Sequence, residues 1–103
     1  MPFINIFKST PMDGQAEQFE TLLKCKNVTI ERIQSPAMTR SERYNQEQDE
    51  WVCLLQGEAT IEMGNTILTL HSGETLFIPS GTPHQVLNTS TDPLCIWLAV
   101  HIH

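Results

Sequence analysis

The residues that suggest chemistry most directly lie in the segment GETLFIPSGTPHQVLN, residues 73–88. Pro79 and Pro83 fix φ on either side of Gly81, and a glycine at that position permits a positive φ. This combination predicts a tight turn with a glycine that is there for its backbone.

Short apolar stretches flank this turn and predict two strands, residues 75–78 and 84–88. In the second strand His84 and Val86 point to the same side, because strand side chains alternate. If that side is the interior, His84 places an imidazole at the mouth of an apolar cavity. An imidazole there can bind a metal or move a proton near neutral pH.

The spacing of this segment resembles the second signature of the cupin family: glycine, five residues, proline, one, glycine, two, histidine, three, asparagine. The family's first signature is a glycine, His-x-His, three or four residues, a glutamate, six residues and a glycine. Glu50 and Gly57 match its end, but the leading glycine is missing, since none lies between Gly14 and Gly57. The resemblance covers about residues 28–102.

Neither spacing of the first signature supplies its two histidines. A three-residue gap before Glu50 puts Tyr44 and Gln46 at those positions, whereas a four-residue gap puts Arg43 and Asn45 there. We favour the first register, because tyrosine suits a cavity wall better than arginine and provides a hydroxyl group.

The resemblance implies a double-stranded β-helix, or jelly-roll barrel, with a divalent metal held inside. Carried over residue by residue, it retains His84 and Glu50 as metal ligands, and Gln46 is the best third donor. Because stable transition-metal sites normally use three or more protein ligands, we expect a weakly held Zn, Ni, Fe or Mn ion, or none. The predicted ligand pocket contains Tyr44, Val52 and Val86.

Three further histidines lie outside the two signatures. His101 and His103 share one face of the last predicted strand, and His101 would restore a set of two histidines and one carboxylate if that face lined the cavity. The simpler interpretation, which we favour, is a frayed His103 and an exposed or merely packed His101. We expect His71 to lie on the surface.

Three functions fit this pattern. The first is a small-molecule-binding cupin with a degenerate metal site, or a metal-dependent enzyme acting on a small organic substrate. The second is a metal-free isomerase, resembling the cupin-like sugar epimerases, with His84 and Tyr44 as base and acid. The third is a non-catalytic ligand-binding module.

Composition limits the partners. The net charge is −6, and every Lys and Arg lies in the first 43 residues, so that the predicted barrel offers little to nucleic-acid phosphates. No apolar run is long enough for a membrane span, and the N-terminus does not resemble a signal peptide, so we expect a cytoplasmic protein.

The 103 residues predict one all-β domain, with an N-terminal arm (1–27) and a barrel (28–102). A weak alternation over residues 3–7 permits an edge strand. A near-helical spacing between Pro11 and Asn27 slightly favours one short helix, with Asp13 as its N-cap. Gly64-Asn65 predicts a hairpin.

The strand at residues 50–55 is apolar on both faces. We expect Glu50 and its alternate neighbours to point inward, which leaves Trp51, Cys53 and Leu55 facing outward. Such an outer face predicts a homodimer.

Overall fold

The computed structural model describes residues 3–11, 14, 16–90 and 92–103, which form strands and, within those ranges, no helix. No helix in this part of the chain is long and apolar enough to cross a membrane. The strands are β1 (Gln18–Cys25), β2 (Val28–Ser35), β3 (Asp49–Gln56), β4 (Glu58–Met63), β5 (Thr66–His71), β6 (Thr75–Ile78), β7 (His84–Thr89) and β8 (Cys95–Ile102). The predicted all-β fold is confirmed.

Two antiparallel sheets face each other. One has the strand order β1-β2-β8-β3-β6 and the other the order β5-β4-β7. The turn predicted at Gly64-Asn65 joins β4 to β5, which pair along their whole length. Residues 38–44 run beside β7: Ser41 donates its backbone N–H to Val86 O at 2.9 Å, and the backbones of Tyr44 and His84 exchange hydrogen bonds of 2.7 and 2.9 Å. This segment therefore extends the smaller sheet and brings Tyr44 beside His84.

Strand β3 lies between β8 and β6 in the larger sheet, and its side chains alternate as expected. Glu50, Val52 and Leu54 point inward and are 6%, 4% and 0% exposed, whereas the residues between them are partly exposed. The apolar core lies between the sheets and contains Ile33, Val52, Leu54, Ala59, Ile61, Leu70, Ile78, Val86, Cys95, Trp97 and Ala99.

The helix expected between Pro11 and Asn27 is wrong, because Gln18–Cys25 forms β1 and pairs with β2. A β-bulge between Thr21 and Leu23 explains the misleading pattern. The extra residue changes the face on which later side chains fall, so the apolar positions no longer alternate. The proposed N-cap, Asp13, lies outside the described residues.

The N-terminal residues 3–11 form no strand, contrary to the alternation over residues 3–7. Arg32 on β2 holds this segment by donating from Nη1 to the carbonyl oxygens of Ile6 (3.3 Å) and Lys8 (2.6 Å). Its Nη2 pairs with Glu20 on β1 at 2.6 Å. The segment is thus attached through its backbone and leaves the apolar side chains Phe3, Ile4 and Phe7 exposed.

Candidate functional site

His84 begins β7 directly after the predicted turn. Gly81 has a φ of 73° and donates its N–H to Gln46 O at 2.8 Å, which ties the turn to the segment before β3. The Nδ1 atom of His84 lies 3.0 Å from the carbonyl oxygen of Thr82. Because a carbonyl can only accept, Nδ1 carries a proton, and the lone pair of the neutral ring lies on Nε2.

Glu50 faces that nitrogen from β3. Its Oε1 lies 3.7 Å from His84 Nε2, and the two residues are 6% and 8% exposed, respectively. The same Oε1 accepts a hydrogen bond of 2.5 Å from Gln46 Nε2. A lone pair and a carboxylate oxygen repel each other across a buried gap unless a cation or a proton lies between them. The pair is therefore a place for one or the other.

The favoured register of the first signature agrees with the side-chain positions. Tyr44 and Gln46 are partly buried, with the Tyr44 ring centroid 5.6 Å from that of His84, whereas Arg43 and Asn45 are exposed. Gln46 directs its amide nitrogen at Glu50, so it positions that carboxylate. Its role as a metal ligand stays a prediction.

The two predicted pocket valines lie on the inner faces of their strands. Val52 shares the buried face of β3 with Glu50, and Val86 shares that of β7 with His84. Both belong to the packed core. The structure thus brings them near the polar pair, and their contact with a ligand stays a prediction.

His101 also points inward, unlike the exposed or merely packed residue that we favoured. In β8 it pairs with Glu50 of β3, and its Nε2 lies 3.9 Å from Glu50 Oε2 and 2.8 Å from Glu31 Oε1. Gln48 Nε2 lies 3.1 Å from its Nδ1. The hydrogen bond to Glu31 raises the pKa of His101. His101 is therefore an ion-pair partner of Glu31 at the edge of the site.

Glu17 enters the site from the chain just before β1. Its Oε2 accepts a hydrogen bond of 2.6 Å from Ser35, and its Oε1 lies 3.4 Å from the Tyr44 hydroxyl. Burial raises the pKa of Glu17, and burial together with the charge of Glu17 raises the pKa of Tyr44 to about 12. Glu17 and Tyr44 border a cavity of about 310 Å³.

Sequence reasoning missed two of these carboxylates for different reasons. Glu31 shares the inner face of β2 with Ile33, so the alternation of that strand contained the signal. Glu17 precedes its strand, and no periodicity places it. The pairing of β1 with β2 places Glu17 beside Ser35, on the side that faces the barrel interior.

The donors fit a divalent ion incompletely. His84 has the orientation of a metal-binding imidazole, with Nδ1–H bound to a carbonyl and Nε2 directed at a carboxylate. Among the described residues, however, no group of three or more His, Cys, Asp or Glu side chains has the geometry of a metal site. Two protein ligands with this orientation fit a weakly held ion.

The barrel, the turn before His84 and the position of Glu50 define the class of protein. A family model described as "Cupin domain" matches residues 30–101. The chain belongs to the cupin family.

Among solved structures, a Ralstonia eutropha protein provisionally assigned as a mannose-6-phosphate isomerase is 33% identical, with a TM-score of 0.87 over 98% of this chain and 97% of its own. A Thermus thermophilus protein is 18% identical, with a TM-score of 0.85 over 99% and 97% of the two chains. KdgF from a Halomonas species is 15% identical, with a TM-score of 0.79 over 98% and 94%. The last two likenesses show the fold alone. A search of curated protein sequences finds no match.

Proposed function

We propose that the protein binds a small polar molecule inside its barrel, against His84 and Glu50. The observation that carries this proposal is the orientation of the pair: Thr82 fixes the His84 tautomer, so that the Nε2 lone pair faces the Glu50 carboxylate across 3.7 Å. Buried polar groups arranged in this way bind a partner that satisfies both.

The charges around the pair favour a neutral or cationic ligand. Glu17, Glu31 and Glu50 contribute three carboxyl groups, against the imidazoles of His84 and His101. Among the described Lys and Arg residues, Arg32 is buried. It pairs with Glu20 and binds the N-terminal segment, and so does not serve the site. A phosphorylated ligand at His84 and Glu50 would lack a fixed cation. Arg40, which borders the cavity beside Glu17 and Tyr44, lies there together with the opposite charge of Glu42. The activity assigned to the Ralstonia protein is therefore not the one that we propose for this chain.

A divalent ion of the Zn, Ni, Fe or Mn type would be held by His84 and Glu50, with Gln46 as a third donor if its amide turned over. When bound, such an ion would polarise an oxygen atom of the ligand. With two protein ligands in place, we expect it to be lost to mild chelation.

A metal-free isomerase is the second candidate, supported by His84 Nε2, which carries the lone pair of the neutral ring and can act as a base, and by the Tyr44 ring 5.6 Å away. The pKa of Tyr44, raised to about 12, makes its phenol a poor acid at neutral pH. A non-catalytic binding module would use the same contacts without a proton transfer.

The test compares matched ligands by ¹H–¹⁵N NMR of the whole chain. Mannose, glycerol and ethanolamine supply neutral and cationic probes, and mannose 6-phosphate adds one anionic group to the first. We expect the backbone resonances of His84 and Val86 to shift with at least one neutral or cationic probe, and not in a His84→Gln variant. Tighter binding of the phosphate, or no response to any of the other three, contradicts the proposal.

For partners, we propose a homodimer formed through the outer face of the larger sheet. Cross-strand neighbours make this face apolar, and its members are Trp51, Cys53, Leu55, Phe77, Leu98, Val100 and Ile102. Phe77 and Ile102 are 50% and 41% exposed, and Phe3 of the N-terminal segment is 93% exposed. Light scattering at tens of micromolar should give twice the 11.7 kDa chain mass, and a monomer would refute this.

The charge distribution also bears on the location of the protein and on the class of its partners. The absence of Lys and Arg after Arg43 supports a protein that does not bind nucleic acid. The same composition, without an apolar run of membrane-spanning length, supports a cytoplasmic location. Fractionation and a salt-dependent DNA-binding assay test these two points.

A further inference from the structure

A second carboxyl group, Glu17, reaches the interior from the same sheet as Glu50, just before β1, which β2 and β8 separate from β3. Glu17 accepts a hydrogen bond from Ser35, which is 0% exposed, and the Ser35 hydroxyl oxygen in turn accepts from Trp97 Nε1 at 3.0 Å. Trp97 can only donate, so its contact leaves the Ser35 proton free for the bond to Glu17 Oε2. A proton on Glu17 that keeps this bond intact lies on Oε1, the oxygen that faces Tyr44.

Glu17 borders a cavity. The space of about 310 Å³ lies between the start of β1 and residues 39–44. Its wall includes Glu17, Phe19, Arg40, Glu42 and Tyr44. A molecule in this cavity would meet Glu17 directly, and it would also meet Tyr44, whose ring centroid lies 5.6 Å from that of His84.

We propose that Glu17 is a further functional residue of the site, a neutral carboxyl group that donates its Oε1 proton to an oxygen atom of the ligand. This inference rests on the proposed function and deepens it, since it pairs an acid at Glu17 with the base at His84. In the transfer the O–H bond of Glu17 breaks, its electron pair stays on Oε1, and the ligand oxygen gains the proton. The carboxylate is then held by the hydroxyl groups of Ser35 and Tyr44, and it regains a proton from water.

The groups around Glu17 support this role. Burial and the charge of Glu50 raise the pKa of Glu17, while the hydrogen bonds from Ser35 and Tyr44 lower it by less. Arg40 and Glu42 carry opposite charges on the cavity wall, and the wall residue Phe19 and the nearby Trp97 carry none. Tyr44 keeps its proton, because its own pKa is raised to about 12. Glu17 is thus a better acid than Tyr44, which would be the acid in the metal-free isomerase alternative.

The experiment uses a small uncharged α-aryl-diazoacetamide, because such reagents esterify only a carboxyl group that first gives its proton to the diazo carbon. The carboxylate then displaces N₂ and forms the ester, so labelling reports proton donation inside the cavity without knowledge of the ligand. The full chain is labelled at pH 6 to 7 and then digested. Mass spectrometry of the peptides should find most of the ester on Glu17. We expect this label to fall as the pH rises.

Matched variants separate the outcomes. Glu17→Gln should lose the label, while Glu42→Gln, which removes a charge from the same cavity wall, should keep it. Tyr44→Phe should extend labelling to higher pH, because it removes a hydrogen bond that lowers the pKa of Glu17. His84→Gln should also keep the label. Labelling of Glu17 therefore tests the inference about Glu17 even if His84 proves not to bind a ligand. Ester spread over other carboxyl groups with none on Glu17, or a label unaffected by Glu17→Gln, overturns the inference.

Discussion

The two signature segments of the barrel differ in what they have kept. The second, residues 73–88, retains every glycine, proline and histidine of the family pattern and places His84 with a defined tautomer. The first, residues 44–57, retains Glu50 and Gly57 but replaces the two histidines by Tyr44 and Gln46. The second segment thus keeps the histidine of the family pattern, whereas the first has hydrogen-bonding side chains at the positions of the pattern's two histidines.

The two segments remain joined in spite of this difference. Tyr44 and His84 exchange backbone hydrogen bonds, and Gly81 donates to Gln46 O at 2.8 Å. Because main-chain atoms make these contacts, the replaced side chains can change without undocking the segments. The backbone contacts therefore set where the site lies, and its side chains set what it binds. Each can be changed by mutation without changing the other.

The largest effect should come from restoring the missing histidines. The double variant Tyr44→His/Gln46→His adds two imidazoles where partly buried side chains already face His84 and Glu50. We expect its affinity for Zn²⁺ or Ni²⁺, measured by calorimetry, to rise by roughly two orders of magnitude or more.

The alternative register supplies the control for this restoration. Arg43→His/Asn45→His adds the same two groups at exposed positions and should leave the affinity unchanged. Adding His84→Ala to the first double variant should abolish the gain. Equal gains in the two double variants would show that Glu50 and His84 do not form one site.

The closing glycine of the first signature should be the less tolerant of the two turn glycines. Gly57 has a φ of 98°, and an added Cβ would lie 2.8 Å from Cys95 Sγ and 2.9 Å from Ser90 Oγ. We expect Gly57→Ala to lower the free energy of unfolding by about 2 kcal/mol or more, and Tm by about 8 °C or more. An unchanged thermal melt would contradict the packing around Cys95.

Gly81→Ala in the second signature should cost less stability but reach the site. Its φ is 73° and no atom lies within 4 Å of the added Cβ, so the strain alone should cost about 1 kcal/mol. Gly64→Ala is the matched control, with a φ of 59° and equally open space. Both should lower Tm similarly, but only Gly81→Ala should weaken Zn²⁺ or ligand binding by displacing His84. Identical binding in the two variants would show that the turn does not position the histidine.

The smallest effect concerns His101, whose pKa is raised by Glu31. A group with a raised folded-state pKa stabilises the fold fully below its unfolded pKa of about 6.5, and this stabilisation is lost as the pH rises through the folded value. Tm should therefore fall by a few degrees more in the native chain than in His101→Gln when the pH is raised from about 6 to above the folded pKa of His101. If Tm depends on pH in the same way in the two proteins, the ion pair between His101 and Glu31 does not stabilise the fold.

Local rules predicted the parts of this molecule that depend on neighbouring residues. The Gly64-Asn65 hairpin, the turn at Gly81 and the inward face of β3 each follow from turn chemistry or alternation. The bulge in β1 and the inward orientation of the His101 side chain depend instead on pairing between strands that are distant in sequence. Local periodicity cannot predict such pairing. Glu17 reaches the site through the same long-range pairing.

The central claim is that His84 Nε2 and Glu50 converge on one point inside the barrel. It is tested most directly by ¹⁵N NMR of the histidine side chains during a Zn²⁺ titration. We predict that His84 Nε2 shifts on addition of Zn²⁺, because the ion takes the place of any proton between it and Glu50, and that it shifts much less in Glu50→Gln, while Nδ1 stays protonated throughout. A protonated Nε2 with a free Nδ1, or a Zn²⁺ response of His84 that is the same in Glu50→Gln, would contradict the account.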